Sequence, residues 1–120
     1  MSSRRGSSMP TDDPADRVRS FYDALDDHDY DQLTSLLASD FVHDRPGLTL
    51  DGRDRFVQFM REERPNRETS HPIDAIYRDG DGELAVRGRL LDDDGEEIAA
   101  FVDVFGFGND GIESVRTYTR

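Results

Sequence analysis

Three Asp/Gly-rich turns punctuate the second half of the chain, and they constrain its fold more than any other feature. They are Asp79-Gly80-Asp81-Gly82, Asp92-Asp93-Asp94-Gly95 and Gly108-Asn109-Asp110-Gly111. Each lies between runs that alternate apolar and polar residues, the pattern of a tight hairpin between two strands. The spacing predicts strands over Thr69–Arg78, Glu83–Leu91, Glu97–Phe107 and Ile112–Tyr118, joined as an antiparallel meander. In the third run Phe101, Asp103, Phe105 and Phe107 share one face, and Ala100, Val102 and Val104 share the other. A strand that is apolar on both faces is covered on both. In the second run Leu84, Val86, Gly88 and Leu90 point the same way, with Arg87 and Arg89 opposite.

The first half reads in a different period. Met1 to Pro10 is Ser/Gly/Arg-rich and aperiodic, which predicts a disordered tail, with one folded domain over residues 11–120. A helix begins near Thr11 or Asp13, with Pro14 in its first turn. Its apolar residues Val18, Phe21, Tyr22 and Leu25 recur at the spacing of one helical face. A short second helix, capped by Asp29, turns Tyr30, Leu33, Leu36 and Leu37 inward. An extended piece, Asp40 to Arg45, ends at Pro46-Gly47, and Leu48 to Gly52 is a loop or a minor strand. A third helix runs from Arg53 to Glu63 and stops at Pro65. Three helices and a meander make an α+β fold: a curved antiparallel sheet, mixed at one edge, packed on three N-terminal helices in a single domain. The helices cover only the concave sheet face, so the outer face is expected to be closed by a second subunit in a homodimer.

The charge balance narrows the partners. The sequence carries 27 Asp and Glu against 15 basic residues, a net charge of −12, and every base is Arg. The acids are spread along the chain and so coat the surface. High net charge opposes compaction, and salt screens it, which predicts adaptation to a salt-rich cytoplasm; the alternative is an ordinary acidic protein. There is no basic patch to neutralise phosphates, so nucleic acid is not an expected partner. No apolar run approaches the ~20 residues of a membrane helix, and membranes are not expected partners either. Without Cys, disulfides and thiol chemistry are excluded.

The order of elements resembles the nuclear transport factor 2-like superfamily, including its SnoaL-like and ketosteroid isomerase-like members. The echoes are Phe21, Tyr22, Ala24, Leu25 and Asp29; then Leu36-Leu37-Ala38-Ser39-Asp40-Phe41-Val42; then Asp51-Gly52-Arg53-Asp54; then the two last strands, Phe101 to Phe107 and Gly111 to Val115. They span about residues 13–119. The resemblance implies a cone whose helices and concave sheet face enclose an apolar pocket, and whose outer face commonly dimerises. It does not fix the activity, because the fold hosts enzymes of several kinds and non-catalytic binders.

Asp103 is the first candidate for chemistry. It lies between Phe101 and Phe105 on the inward face, where burial would raise its pKa and keep it neutral. The resemblance places it where ketosteroid isomerases use an Asp to hold a developing oxyanion; a structural network is the alternative. His43-Asp44-Arg45-Pro46 lies where that family sets its general base. Regular alternation turns Phe41, His43 and Arg45 inward, and a bulge would turn Asp44 inward instead. The isomerase's oxyanion tyrosine would fall at Phe21, beside Tyr22, which argues against steroid isomerisation. Asp44, Arg45 and Asp103 also offer the residue types of a limonene epoxide hydrolase set. His71 begins a strand carrying Ile73, Ala75 and Tyr77, and it either looks into the pocket mouth or lies exposed before Pro72. Val115, Thr117 and Thr119 fall at family pocket positions, with Arg116 and Tyr118 on the opposite face.

The expected site therefore has Asp103, Asp44 and His43 as proton-moving groups. Its expected wall is Phe21, Tyr22, Phe41, Arg45, Phe59, His71, Val86, Phe101, Phe105, Val115 and Thr117. No close-spaced ligand motif calls for a metal or cofactor; the acidic turns lack the twelve-residue calcium pattern. The function these features predict is acid-base chemistry of an isomerase, cyclase or hydratase kind on a small apolar or carbonyl-bearing compound. The alternatives are a ligand-binding or dimerisation module without turnover, and a protein-interaction domain.

Overall fold

The computed structural model describes residues 13–63, 68–80, 82–109 and 111–120. The expected tail, the Thr11 cap and the Pro65 helix stop lie outside these. Helix α1, Pro14–Asp26, is capped by Asp13, whose carboxylate accepts from the Ala15 N–H at 3.0 Å. Its apolar stripe buries Val18, Phe21, Tyr22, Ala24 and Leu25. Helix α2, Tyr30–Leu36, is capped by Asp29, which accepts from the Gln32 N–H. Strand β1 then runs Leu37–Arg45 and pairs antiparallel with the short β2, Leu48–Asp51. Helix α3, Arg53–Gln58, widens into a π turn over Phe59–Glu63.

The meander follows as expected: β3, Ile73–Arg78; β4, Leu84–Leu91; β5, Glu97–Gly108; and β6, Gly111–Thr119. The six strands lie in the order β2-β1-β6-β5-β4-β3, antiparallel except for β1 beside β6. The sheet is thus mixed where β1 returns to it, and the helices pack on its inner face. Gly111, at φ +136°, lies where an added Cβ would sit 2.6 Å from the Leu36 carbonyl oxygen. A side chain at the start of β6 would therefore push the end of α2 off the sheet.

Three expectations need correction. Leu37 opens β1 rather than closing α2, so that strand starts three residues earlier than the extended piece read at Asp40. The third helix is not uniformly α-helical, because its last turn is the π segment. The first meander strand begins at Ile73, not Thr69: before Pro72, among the described residues, Ser70 alone bridges Leu91. An irregularity between Ile73 and Ala75 also shifts the phase of β3. Ile73 and Ile76 consequently pack on the core, while Tyr77 is exposed.

Candidate functional site

The register places polar groups in one corner of an otherwise apolar interior. Asp103 on β5 is paired with Thr117 on β6 and Val86 on β4, all three on the inner face. His43 on β1 is paired with Val115, one step along β6 from the Thr117 row. The irregularity between β1 and β6 falls between Leu37 and Val42, before this segment. Alternation is regular from there, so Phe41 and His43 are buried inward. Asp44 points to the outer face, where Thr49 Oγ1 donates to it and Arg116 pairs with it at 3.6 Å. Asp44 is therefore not a group of the cavity, and the expected set of Asp44, Arg45 and Asp103 is not assembled.

A hydrogen-bonded chain crosses the cavity wall. Tyr22 Oη donates to Asp103 Oδ2 at 2.6 Å, and Thr117 Oγ1 donates to Asp103 Oδ1 at 2.5 Å. Thr117 Oγ1 is also 2.9 Å from His43 Nε2. The Thr117 hydroxyl has one proton and gives it to Asp103, so His43 must donate from Nε2. Its Nδ1 is then the unprotonated nitrogen, and it is buried without a hydrogen-bond partner among the described residues. Burial, reinforced by the nearby Arg45 cation, pushes His43 down to about 4. The imidazole is thus neutral at neutral pH. Burial raises Asp103 above its ordinary value, against the opposing hydrogen bonds from Thr117 and Tyr22 and the field of His71. Burial and then the Asp103 charge push the Tyr22 phenol well above its usual range.

His71 stands beside Tyr22 on the same wall. Its backbone N–H donates to Asp26 Oδ2 at 3.1 Å, and its Nδ1 lies 2.6 Å from Asp26 Oδ1. An Asp carboxylate has only acceptors, so Nδ1 carries a proton, and in the neutral ring Nε2 is the lone pair. The ring stands 5.5 Å from Tyr22 and 6.0 Å from Phe101, centroid to centroid. Asp26 lies in the last turn of α1, where the helix dipole disfavours an acid, and the His71 contact offsets that cost.

These groups line one cavity of about 450 Å³. Its wall includes Phe21, Tyr22, His43, Arg45, His71, Phe101, Asp103, Val115 and Thr117, all named from sequence, and Thr119 with them. Phe41, Phe59, Val86 and Phe105 do not line it. They are buried in the core and back the wall: Phe105 packs on Phe21 and Tyr22, Phe41 on Phe56, and Phe59 lies under the Arg45 guanidinium, 5.2 Å from it. Sequence reasoning missed Leu25, Phe56, Met60, Thr69 and Leu90 on the wall, and Asp26 behind His71. An acid in the last turn of a helix was the signal available for Asp26. The acidic turn at Asp92 is a self-contained hairpin, with Asp92 Oδ1 accepting from the N–H groups of Asp94 and Glu96 at 2.9 Å each. Among the described residues no helix is long and apolar enough to cross a membrane.

Comparison with known proteins places this architecture. The SnoaL-like domain matches residues 18–114. No curated protein is similar enough in sequence to count as a match. Among solved structures, a nuclear transport factor 2-like protein of unknown function from Cytophaga hutchinsonii superposes with a TM-score of 0.77 at 17% identity, over 93% of this chain and 95% of that one. A Kribbella flavida protein assigned as a ketosteroid isomerase gives 0.75 at 20% identity, over 88% and 76%. An LEH-like epoxide hydrolase of M. tuberculosis gives 0.70 at 20% identity, over 88% and 80%. At such identities the superpositions establish the fold alone, that of nuclear transport factor 2-like proteins, and the domain match establishes the family: this chain belongs to the SnoaL-like domain family.

Proposed function

We propose that this protein takes a small, largely apolar, carbonyl-bearing compound into its cavity and acts on it by acid-base chemistry of the isomerase, cyclase or hydratase kind. One observation carries the reading: a buried Asp103 with a raised pKa and an Asp26-oriented His71 line the same apolar cavity. Two titratable groups held in different environments around one cavity are a basis for separate acid and base roles. Asp103, when protonated, donates toward a carbonyl oxygen as negative charge develops on it, with Tyr22 and Thr117 positioning its carboxyl. His71 Nε2 removes and returns the proton. His43, low in pKa and bonded to Thr117, positions that chain rather than acting as the base. The isomerase and epoxide hydrolase names of two fold relatives agree with this class.

The test is exchange of the proton next to a carbonyl, followed by NMR in D2O for a panel of small cyclic ketones and enones. Catalysed exchange by the wild type, lowered by roughly 10²- to 10⁴-fold in H71Q and in D103N, is the expected result. A second reading is ligand binding without turnover, favoured because both Asp103 oxygens already accept hydrogen bonds. Compounds that raise the melting temperature yet exchange no faster than in buffer would establish that reading and overturn the first.

The working unit in this proposal is a homodimer closed through the outer sheet face. Val102 and Val104 are half-buried there without helices above them among the described residues, and Tyr118, paired with Val102, is 52% exposed. The salt-rich setting is part of the same proposal. It expects the melting temperature to rise with KCl toward molar concentrations, because screening relieves repulsion among the carboxylates. A flat or falling curve would remove it.

A further inference from the structure

Arg45 is the guanidinium of the cavity wall, and it differs in its pairing from six other arginines of the chain. Arg53, Arg55, Arg61, Arg78, Arg89 and Arg116 each lie within 4 Å of a carboxylate. Arg45 is half-buried and lines the cavity, yet among the described residues it has no carboxylate partner. Its neighbour Asp44 is turned to the outer face and occupied by Arg116. In a chain with 27 acids against 15 arginines, an acid could have been supplied. The contact Arg45 does make is with the Phe59 ring. That cation–π contact holds the group in place and uses none of its five N–H donors.

A half-buried guanidinium that no carboxylate of the described residues meets keeps its N–H donors open to the counter-charge of a ligand. We propose that Arg45 anchors a carboxylate at the edge of the cavity, and that the ligand is a small organic acid with its apolar body among Phe21, Phe56, Met60 and Phe101. The guanidinium fork matches a carboxylate in geometry and charge. A phosphate dianion fits less well: the other basic side chains on the wall are His43, bonded to Thr117, and His71, tied to Asp26. The inference rests on the ligand-pocket reading above and adds to it the class of ligand.

Calorimetric titration at pH 7 and fixed salt tests it with matched probes: 4-phenylbutyrate, its neutral amide, and a phenylalkyl phosphate of similar length. The expected result is that wild type binds the acid at least roughly tenfold tighter than the amide, a difference that R45Q abolishes while amide affinity stays within about twofold. R45K, which keeps the charge but loses the fork, is expected to fall between; it carries the test alone should R45Q prove unfolded by circular dichroism. Equal binding of acid and amide by wild type, or an acid preference that survives R45Q, overturns the Arg45 anchor and leaves the pocket reading standing. Tighter binding of the phosphate overturns the carboxylate assignment. Binding of none of the three overturns the pocket reading and the anchor together.

Discussion

The Tyr22 hydroxyl donates to Asp103 across 2.6 Å, tying the middle of α1 to the middle of β5 over 81 positions of sequence. The contact supplies one of the two hydrogen bonds that a buried carboxyl needs. Y22F removes the donor and keeps the ring, so it is expected to cost about 1–3 kcal/mol of stability and to raise the Asp103 pKa further. Burial holds Asp103 above its ordinary 3.8, so its contribution to stability is complete below about 4 and is lost as pH rises through the higher folded value. Urea unfolding across pH 3–8 checks both points: D103N lacks this downward trend, and Y22F extends it to higher pH than wild type.

His43 has the opposite sign. It is held at about 4 against an ordinary 6.5, so the folded state binds fewer protons between those values. Stability is therefore present above pH 6.5 and is lost as pH falls toward 4, by about 3 kcal/mol from this group alone. H43L cannot titrate, and its stability relative to wild type is expected to improve by that amount between pH 7 and pH 4. Denaturant midpoints for the two proteins at both pH values measure it, and parallel pH profiles would show that His43 charges without penalty.

How much of this could be read from the sequence follows from how local each signal is. The meander was legible because Asp-Gly turns and strict alternation act over a few residues. The same alternation identified Asp103 as a polar residue on a buried face. The β1 boundary was not legible, because Leu36 and Leu37 suit a helix face and a buried strand equally. The choice between His43 and Asp44 depended on where β1 slips against β6, a pairing between segments about 70 residues apart. Tyr22 was visible as a buried tyrosine, whose hydroxyl must find a partner, but its partner was set by the tertiary fold. His71 looked like a strand start, and the Asp26 contact that orients it again joins distant segments.

Gly88 links stability to the site. An added Cβ there would lie 2.7 Å from the Pro72 carbonyl oxygen and 2.8 Å from Phe101 Cζ. That oxygen also accepts from the Arg89 N–H, so moving away from the methyl group strains a bond between the strands. G88A is expected to cost about 1–3 kcal/mol. Since Pro72 follows His71, the same displacement should disturb the His71–Asp26 contact. Thermal denaturation gives the first effect, and the His71 imidazole shifts in NMR spectra give the second.

Asp26 fixes the His71 tautomer by accepting from both the backbone N–H and Nδ1. D26N replaces one of those acceptors with an NH2 group, which can donate to Nδ1 and so favours the proton on Nε2. Nitrogen-15 spectra of labelled histidine are expected to show the Nδ1–H form in wild type and a shift toward Nε2–H in D26N. Carbonyl-proton exchange should fall in parallel, since the lone pair would no longer be at Nε2. An unchanged tautomer in D26N would mean that Asp26 does not orient the ring.

The outer sheet face makes the last prediction. Tyr77, Ala85, Val104 and Arg116 pair in sequence across β3, β4, β5 and β6, and Val102 pairs with Arg87 and Tyr118 in the next row. The Arg116–Asp44 pair sits at one end of the first row, leaving Val104 and Val102 as the apolar centre. A homodimer using this face would bury both valines, and a charge at either would be desolvated without a partner. V104D is therefore expected to convert a dimer to a monomer in light scattering at high salt. Its secondary structure should be unchanged, because the side chain faces away from the core. A wild type that is already monomeric under those conditions would rule out the outer-face dimer, and a V104D dimer would place the interface elsewhere.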